Sequence, residues 1–237
     1  MAKETNTSSG KIGPVVTYQL YGKTVIRSKP CKYKRTESTK KRSANFGVAA
    51  RASKTLRPML SHVIPFPKDI FMQCRFVGAI SKWLKTTALH DLVPQTKLPS
   101  ITGFQFNNET SLNERLKIEL ELTKTGTNEL RLHIPSFIPT LSFAAPAHTI
   151  NVECRISAAG CMLSNGNATG NFETTIIIPF SAIPVPAQDI IITIPTPAGS
   201  ILLTAMALLF HAKKKGVIAI NDKAPFMPAG VINAMYC

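Results

Sequence analysis

Leu116-Lys117-Ile118-Glu119-Leu120-Glu121-Leu122, then Thr125-Gly126-Thr127-Asn128, then Leu130-Arg131-Leu132-His133-Ile134: this stretch decides the class of the chain. Apolar and polar residues alternate with a period of two on both sides of a turn-forming cluster. That is the pattern of an antiparallel hairpin with one face in a core and one face in water. Lys117, Glu119, Glu121, Arg131 and His133 take the wet side.

Toward the C-terminus the same reading continues. Strands are expected over 149–156, 172–180, 189–194, 201–211 and 217–220, punctuated by Asn165-Gly166-Asn167, Pro179 to Pro186 and Pro195-Thr196-Pro197. Many short strands with such turns predict an antiparallel β-sandwich over 100–237. Lys213-Lys214-Lys215-Gly216 reads as a charged hairpin turn between apolar strands, a device that protects sheet edges.

Toward the N-terminus the period becomes helical. Ile70, Cys74, Val77, Ser81 and Leu84 fall at helical spacing, widened by Phe71, Ile80 and Trp83, with Asp69 as the cap. An earlier helix is expected from Thr36-Glu37-Ser38 to about Arg57, before Pro58, with Thr36 or Ser38 as cap. Its narrow apolar stripe is Phe46, Ala49, Ala52, Ser53 and Leu56. The two would form a helical hairpin across the Pro65-Phe66-Pro67 break. Before them, residues 11–30 read as a β-hairpin turning at Tyr21-Gly22-Lys23, and residues 1–10 as a disordered tail. The fold class expected is therefore α+β, mainly β. A basic hairpin plus two-helix region spans 11–85, the β-sandwich region spans 100–237, and the boundary lies between about Leu84 and Ile101.

Charge follows the same division. Residues 1–85 carry 18 Lys+Arg against three acids, whereas residues 86–237 carry 10 of each, so the whole net charge of +15 lies in the first third. Residues 11–57 alone hold 13 Lys+Arg and one acid, Glu37. Such segregation points to a polyanionic partner for that third: nucleic acid bound through its backbone, an anionic membrane, or an acidic protein surface. The candidate contacts are Lys23, Arg27, Lys29, Lys32, Lys34, Arg35, Lys40, Lys41, Arg42, Arg51, Lys54 and Arg57. Tyr18, Tyr21 and Tyr33 are interleaved with them, and aromatic rings can stack on unpaired bases. No sequence-reading motif accompanies them, so binding would be backbone-directed.

Enzymatic signatures are missing. There is no GxSxG, no phosphate loop and no GxGxxG. The five histidines (His62, His90, His133, His148 and His211) show no ligand spacing among themselves. The five cysteines include no CxxC pair, so reduced thiols are expected, with no metal and no cofactor. The polar first ten residues lack the apolar core of a secretory signal. Ile201 to Phe210, the longest near-continuous apolar run, falls short of the roughly 20 residues that span a bilayer. A cytoplasmic protein, or a component of a particle assembled in the cytoplasm, is the expectation.

The segment Gly10-Lys11-Ile12-Gly13-Pro14-Val15-Val16, the aromatic-Gly22-Lys23 turn and Ile26-Arg27-Ser28-Lys29-Pro30 resemble the N-terminal signature of a family of uncharacterised proteins common in Bacteroidetes. Thr36-Glu37 at a helix start fits the same pattern. The specific match covers about residues 11–60. The resemblance implies a basic hairpin–helix opening followed by a β-sandwich. By analogy with phage structural proteins, it also adds weight to a virion-like role.

Taken together, the sequence predicts a non-enzymatic structural or assembly protein. It would form a homo-oligomer or larger assembly, and its basic arm would contact nucleic acid or a neighbouring subunit. A free cytoplasmic DNA- or RNA-binding protein of weak specificity is the alternative, and a hydrolase built on the sandwich is a remoter one.

Overall fold

The computed structural model describes residues 10–20, 22–29, 34–64, 69, 71–86, 97–214 and 217–237. It is α+β and mainly β, as the periodicities require. Two compact units meet at Lys40/Lys41.

The first unit is a three-stranded antiparallel meander of β1 (Gly10–Ile12), β2 (Val15–Leu20) and β3 (Lys23–Ser28), in the order β1-β2-β3. The expected hairpin at Gly22 is present, and Gly22 takes the positive φ (74°) that such a tight turn needs. A third strand, β1, precedes it, turned by Gly13-Pro14. It is too short to show a period. Of the expected tail, residues 1–9 lie outside the described residues and Gly10 opens β1.

The helix α1 (Glu37–Met59) begins where the capping residues place it. Thr36 Oγ1 accepts a hydrogen bond from the Thr39 backbone N–H at 3.2 Å, satisfying one of the orphan donors of the first turn. Pro58 lies inside the last turn rather than beyond it.

In the second unit, α1 and α2 (Met72–Thr86) pack on one face of a five-stranded antiparallel sheet. This sheet contains β6 (Thr149–Met162), β7 (Ala168–Pro179), β9 (Ser200–Lys214), β10 (Val217–Ile220) and β11 (Ala229–Tyr236). β9 pairs with β6 along one side. On its other side it pairs with β11 over Ile201–Ala207 and with β10 from His211 onward. A smaller antiparallel sheet, β4 (Glu121–Lys124), β5 (Glu129–Ile134) and β8 (Gln188–Thr193), covers the opposite face.

Three layers follow, and the central strands are buried on both sides. In β9, Ile201, Leu203, Ala205 and Ala207 belong to the helix-side core, whereas Leu202, Met206, Leu208 and Phe210 belong to the core between the sheets. A strand buried on both faces reads as a continuous apolar run, which is why Ile201 to Phe210 has no period. α1 approaches closely because both surfaces are small. Ala49, Ala52 and Ser53 of α1 are buried against a core that includes Ala159, Ala205 and Ala229. Ser157 Oγ donates to the Met59 carbonyl at 3.2 Å, and Thr55 Oγ1 to the Gly166 carbonyl at 2.6 Å.

Several expectations are corrected. Leu116 to Leu122 alternates as read, but only β4 is laddered. Residues 112–115 form a short helix, α3 (Leu112–Arg115), and Leu116 bridges Phe143. Leu116, Ile118, Leu120 and Leu122 are partly buried against the inter-sheet core, so the alternation reports burial rather than hydrogen bonding. Phe46 is exposed, although its helical phase matched the stripe. Along α2 the expected face is buried at Val77, Ile80, Ser81, Trp83 and Leu84; only its start differs, where Phe71 and Cys74 are exposed and Met72 and Phe76 are buried. Asp69 does cap α2: its Oδ1 accepts from the Phe71 N–H at 2.8 Å. Residues 65–68 of the link between the helices, the basic residue Lys32, and His90 lie outside the described residues. The expected boundary near 84–101 is a change of period. By compactness the chain divides at Lys40/Lys41, and α1 and α2 share their core with β6, β9 and β11.

Candidate nucleic-acid interface

The register of the meander sorts its side chains. Lys11 faces Val16, Val16 faces Arg27, Tyr18 faces Val25, and Leu20 faces Lys23. Since alternate residues of a strand point to opposite sides, Lys11, Lys23, Arg27 and Tyr18 share one face with Val16, Leu20 and Val25. The other face carries Ile12, Val15, Thr17, Thr24 and Ile26, together with Gln19 and Ser28, and no charge. Two contacts agree with this sorting: the Arg27 guanidinium lies 5.4 Å from the Tyr18 ring centroid, and Gln19 Nε2 donates to Thr24 Oγ1 at 2.7 Å.

Nothing described in this unit is buried; Ile12 and Ile26 are 73% and 68% exposed. A three-stranded sheet needs a covered apolar face to be stable by itself, and this one lacks it. Lys34 and Arg35 precede α1 and are exposed, as is Lys40, whose Nζ is 2.6 Å from Glu37 Oε1.

In the second unit, Arg51 and Lys54 lie on the side of α1 opposite Ala49, Ala52 and Leu56, because a helix turns once in about 3.6 residues. Both are exposed, as are Lys41 and Arg42 near the helix start. Arg57 is half-buried and donates from Nε to the Ser53 carbonyl at 3.2 Å, which commits part of its guanidinium to the helix. Most of these cations project freely into solvent, the condition for pairing with phosphate.

A second polar constellation was not anticipated. Glu153 on β6 is buried, and its carboxylate is held between Arg155 Nε (2.6 Å) and His211 Nε2 (2.7 Å). Burial pushes this carboxyl upward, yet the hydrogen bonds from Arg155 and His211 outweigh it and hold the group below its ordinary value. The sequence held only part of the signal: Glu153 and Arg155 occupy alternate positions of β6, so both face one side, and the structure shows that this side is covered. A cleft of about 270 Å³ adjoins Arg155, floored by Ala207 and Leu209 and walled by His62, Asp222 and Pro228. A more open cleft of about 520 Å³ lies between residues 102–121 and β11, lined in part by Lys117, Glu119 and Glu121.

The thiols are spread out. Cys154, Cys161 and Cys237 are buried and Cys74 is exposed, all four of them free. Burial pushes the Cys154 thiol up to about 12 and Cys161 up to about 11, so neither supplies a thiolate nucleophile near neutrality. Among the described residues no group of three His, Cys, Asp or Glu side chains is placed to hold a metal ion, and no helix is long and apolar enough to cross a membrane.

No family model matches the chain, and no curated protein matches it. Among solved structures, a glycosyl hydrolase family 2 member from Bacteroides cellulosilyticus aligns with 43% of this chain at 8% identity and a TM-score of 0.22. The chain spans 13% of that protein's length.

Proposed function

We propose that this chain is a non-enzymatic structural or assembly protein, of the kind found in virion-like particles, whose basic N-terminal arm contacts nucleic acid or a neighbouring subunit. One observation carries the reading: a meander none of whose described residues is buried sits at the start of the most basic third of the chain. A coreless sheet gains stability from a surface that covers it, and a dense set of free cations favours a polyanion. The neutral, well-packed β part serves as the body that carries the arm.

The test has two parts. Size-exclusion chromatography with light scattering on the full chain, with and without nucleic acid, should give a regular oligomer. A monomer in both conditions would favour a free nucleic-acid-binding protein instead. Fluorescence anisotropy with labelled duplex DNA over a salt series should give a log–log slope of about −5 if roughly six phosphates are neutralised. Changing Lys40, Lys41 and Arg42 together to Ser should make it shallower by up to about 3, equally for unrelated sequences. Absence of binding at low salt would remove nucleic acid as the partner.

A further inference from the structure

The two faces of the meander differ in a way that selects among nucleic acids. We infer that the face bearing Lys11, Tyr18, Lys23 and Arg27 is a binding platform for single-stranded nucleic acid; the inference rests on the nucleic-acid reading above and narrows it to one ligand class.

All the formal charge of the described strands is on one side, and so is their aromatic ring. The guanidinium of Arg27 lies 5.4 Å from the Tyr18 centroid, so a planar cation and a ring occupy the middle of the face together. Tyr18 is only half-buried. Val16, Leu20 and Val25 extend the apolar centre, and Lys11 and Lys23 flank it from the outer strands.

A duplex cannot use that centre. Its phosphates lie outside, and its base faces are stacked on one another, so it would meet Lys11, Lys23 and Arg27 and leave the ring and aliphatic groups in water. A single strand has unstacked bases that can lie on Tyr18 or on the Arg27 plane while its backbone runs past the lysines. A six-residue strand is about 20 Å long, room for a few nucleotides. The uncharged face of Ile12, Val15, Thr17 and Ile26 has none of these features. It is the side a protein surface would cover, which leaves the cationic side open.

The experiment uses the full chain with fluorescent oligothymidylate and a duplex of equal length. Tyr18→Ser should weaken oligothymidylate binding about tenfold or more, a stacking contribution of ordinary size, and should change duplex binding by less than about twofold. Tyr18→Phe keeps the ring and should bind like the parent, which guards against a variant that merely unfolds the arm. Arg27→Lys keeps the charge and removes the plane. It should weaken oligothymidylate binding with the salt slope unchanged. Ile26→Thr, on the neutral face, should have no effect on either ligand. Equal losses for both ligands, or no loss with Tyr18→Ser, would overturn the platform while leaving backbone binding by the arm intact. Competition by polyglutamate as effective as by oligothymidylate would also overturn it, pointing to an acidic protein. A parent chain that binds neither oligonucleotide removes the broader reading as well.

Discussion

Replacing Leu132 by Ala tests the architecture at its most committed point. Leu132 lies in the middle of β5, between Leu122 of β4 and Ile190 of β8, and is 0% exposed in the core between the sheets. Removing three buried carbons there costs the transfer energy plus a cavity that three laddered strands cannot collapse, about 3 kcal/mol. For a chain of this size each kcal/mol lowers the melting temperature by about 2–4 °C, so the expected fall is about 6–12 °C. Arg131, one residue away, points outward. Its Nη1 is 3.8 Å from Asp189 Oδ2, with side chains 46% and 43% exposed, a geometry worth less than about 1 kcal/mol. Arg131→Ser should therefore move the melt by no more than about 3 °C. Ile118→Ala falls between them, because Ile118 is half-buried and outside the β4 ladder. Scanning calorimetry of the three variants, with urea midpoints as a second measure, gives the order. Equal losses for Leu132→Ala and Arg131→Ser, or a larger loss for Ile118→Ala, would refute the register of the smaller sheet.

Two further outcomes are expected. The Glu153 carboxyl lies below its unfolded value of 4.5, so its ionised form stabilises the fold above that pH and the contribution is lost as pH falls through the lowered value. Glu153→Gln should flatten the acid limb of stability against pH below about 4.5 and leave the Arg155 guanidinium without a counter-charge, at a cost of about 2–3 kcal/mol; an unchanged acid limb in urea titrations across pH would count against the network. Gly166 has φ +80° and its added Cβ would lie 3.0 Å from Arg51 Cβ, so Gly166→Ala should destabilise by about 1–2 kcal/mol, and a neutral or stabilising effect on the thermal melt would refute the turn geometry.

What the sequence disclosed follows from which forces act locally. Alternation located β5, whereas apolar runs between turn clusters located β8 and much of β6, β7 and β9, because burial on one face or both imprints a pattern on the strand itself. Helix starts were legible at Thr36 and Asp69, where capping is a matter of a few bonds. Only the first turn of α2 was misjudged, because Phe71, Cys74 and Met72 all suit an apolar stripe. The choice among them is made by the Phe104–Phe106 segment, whose rings lie 5.1 and 5.9 Å from Phe76. β11 was missed because Ala229-Gly230-Val231-Ile232-Asn233-Ala234 is small and has no clean period, and its strand character comes from its neighbour β9. On the functional side, the cations were visible as composition, but their confinement to one face of the meander depends on pairing register, including a strand of three residues. The Glu153 network required knowing that β6 is covered on both sides.

The pairing of β11 has a consequence in time. Its outer edge is occupied by an early segment: Leu98 N–H donates to the Ala234 carbonyl, Gly103 N–H to Val231, and Phe106 N–H to Ala229. At ribosomal rates of about 5–20 residues per second, roughly 6–27 s separate the appearance of these partners. Through that interval Ala49, Ala52 and Leu56 of α1 have no sheet to rest on, since β9 and β11 are made late. Until then the helical stripe stays uncovered, and a slowed ribosome before residue 229 lengthens that exposure in proportion.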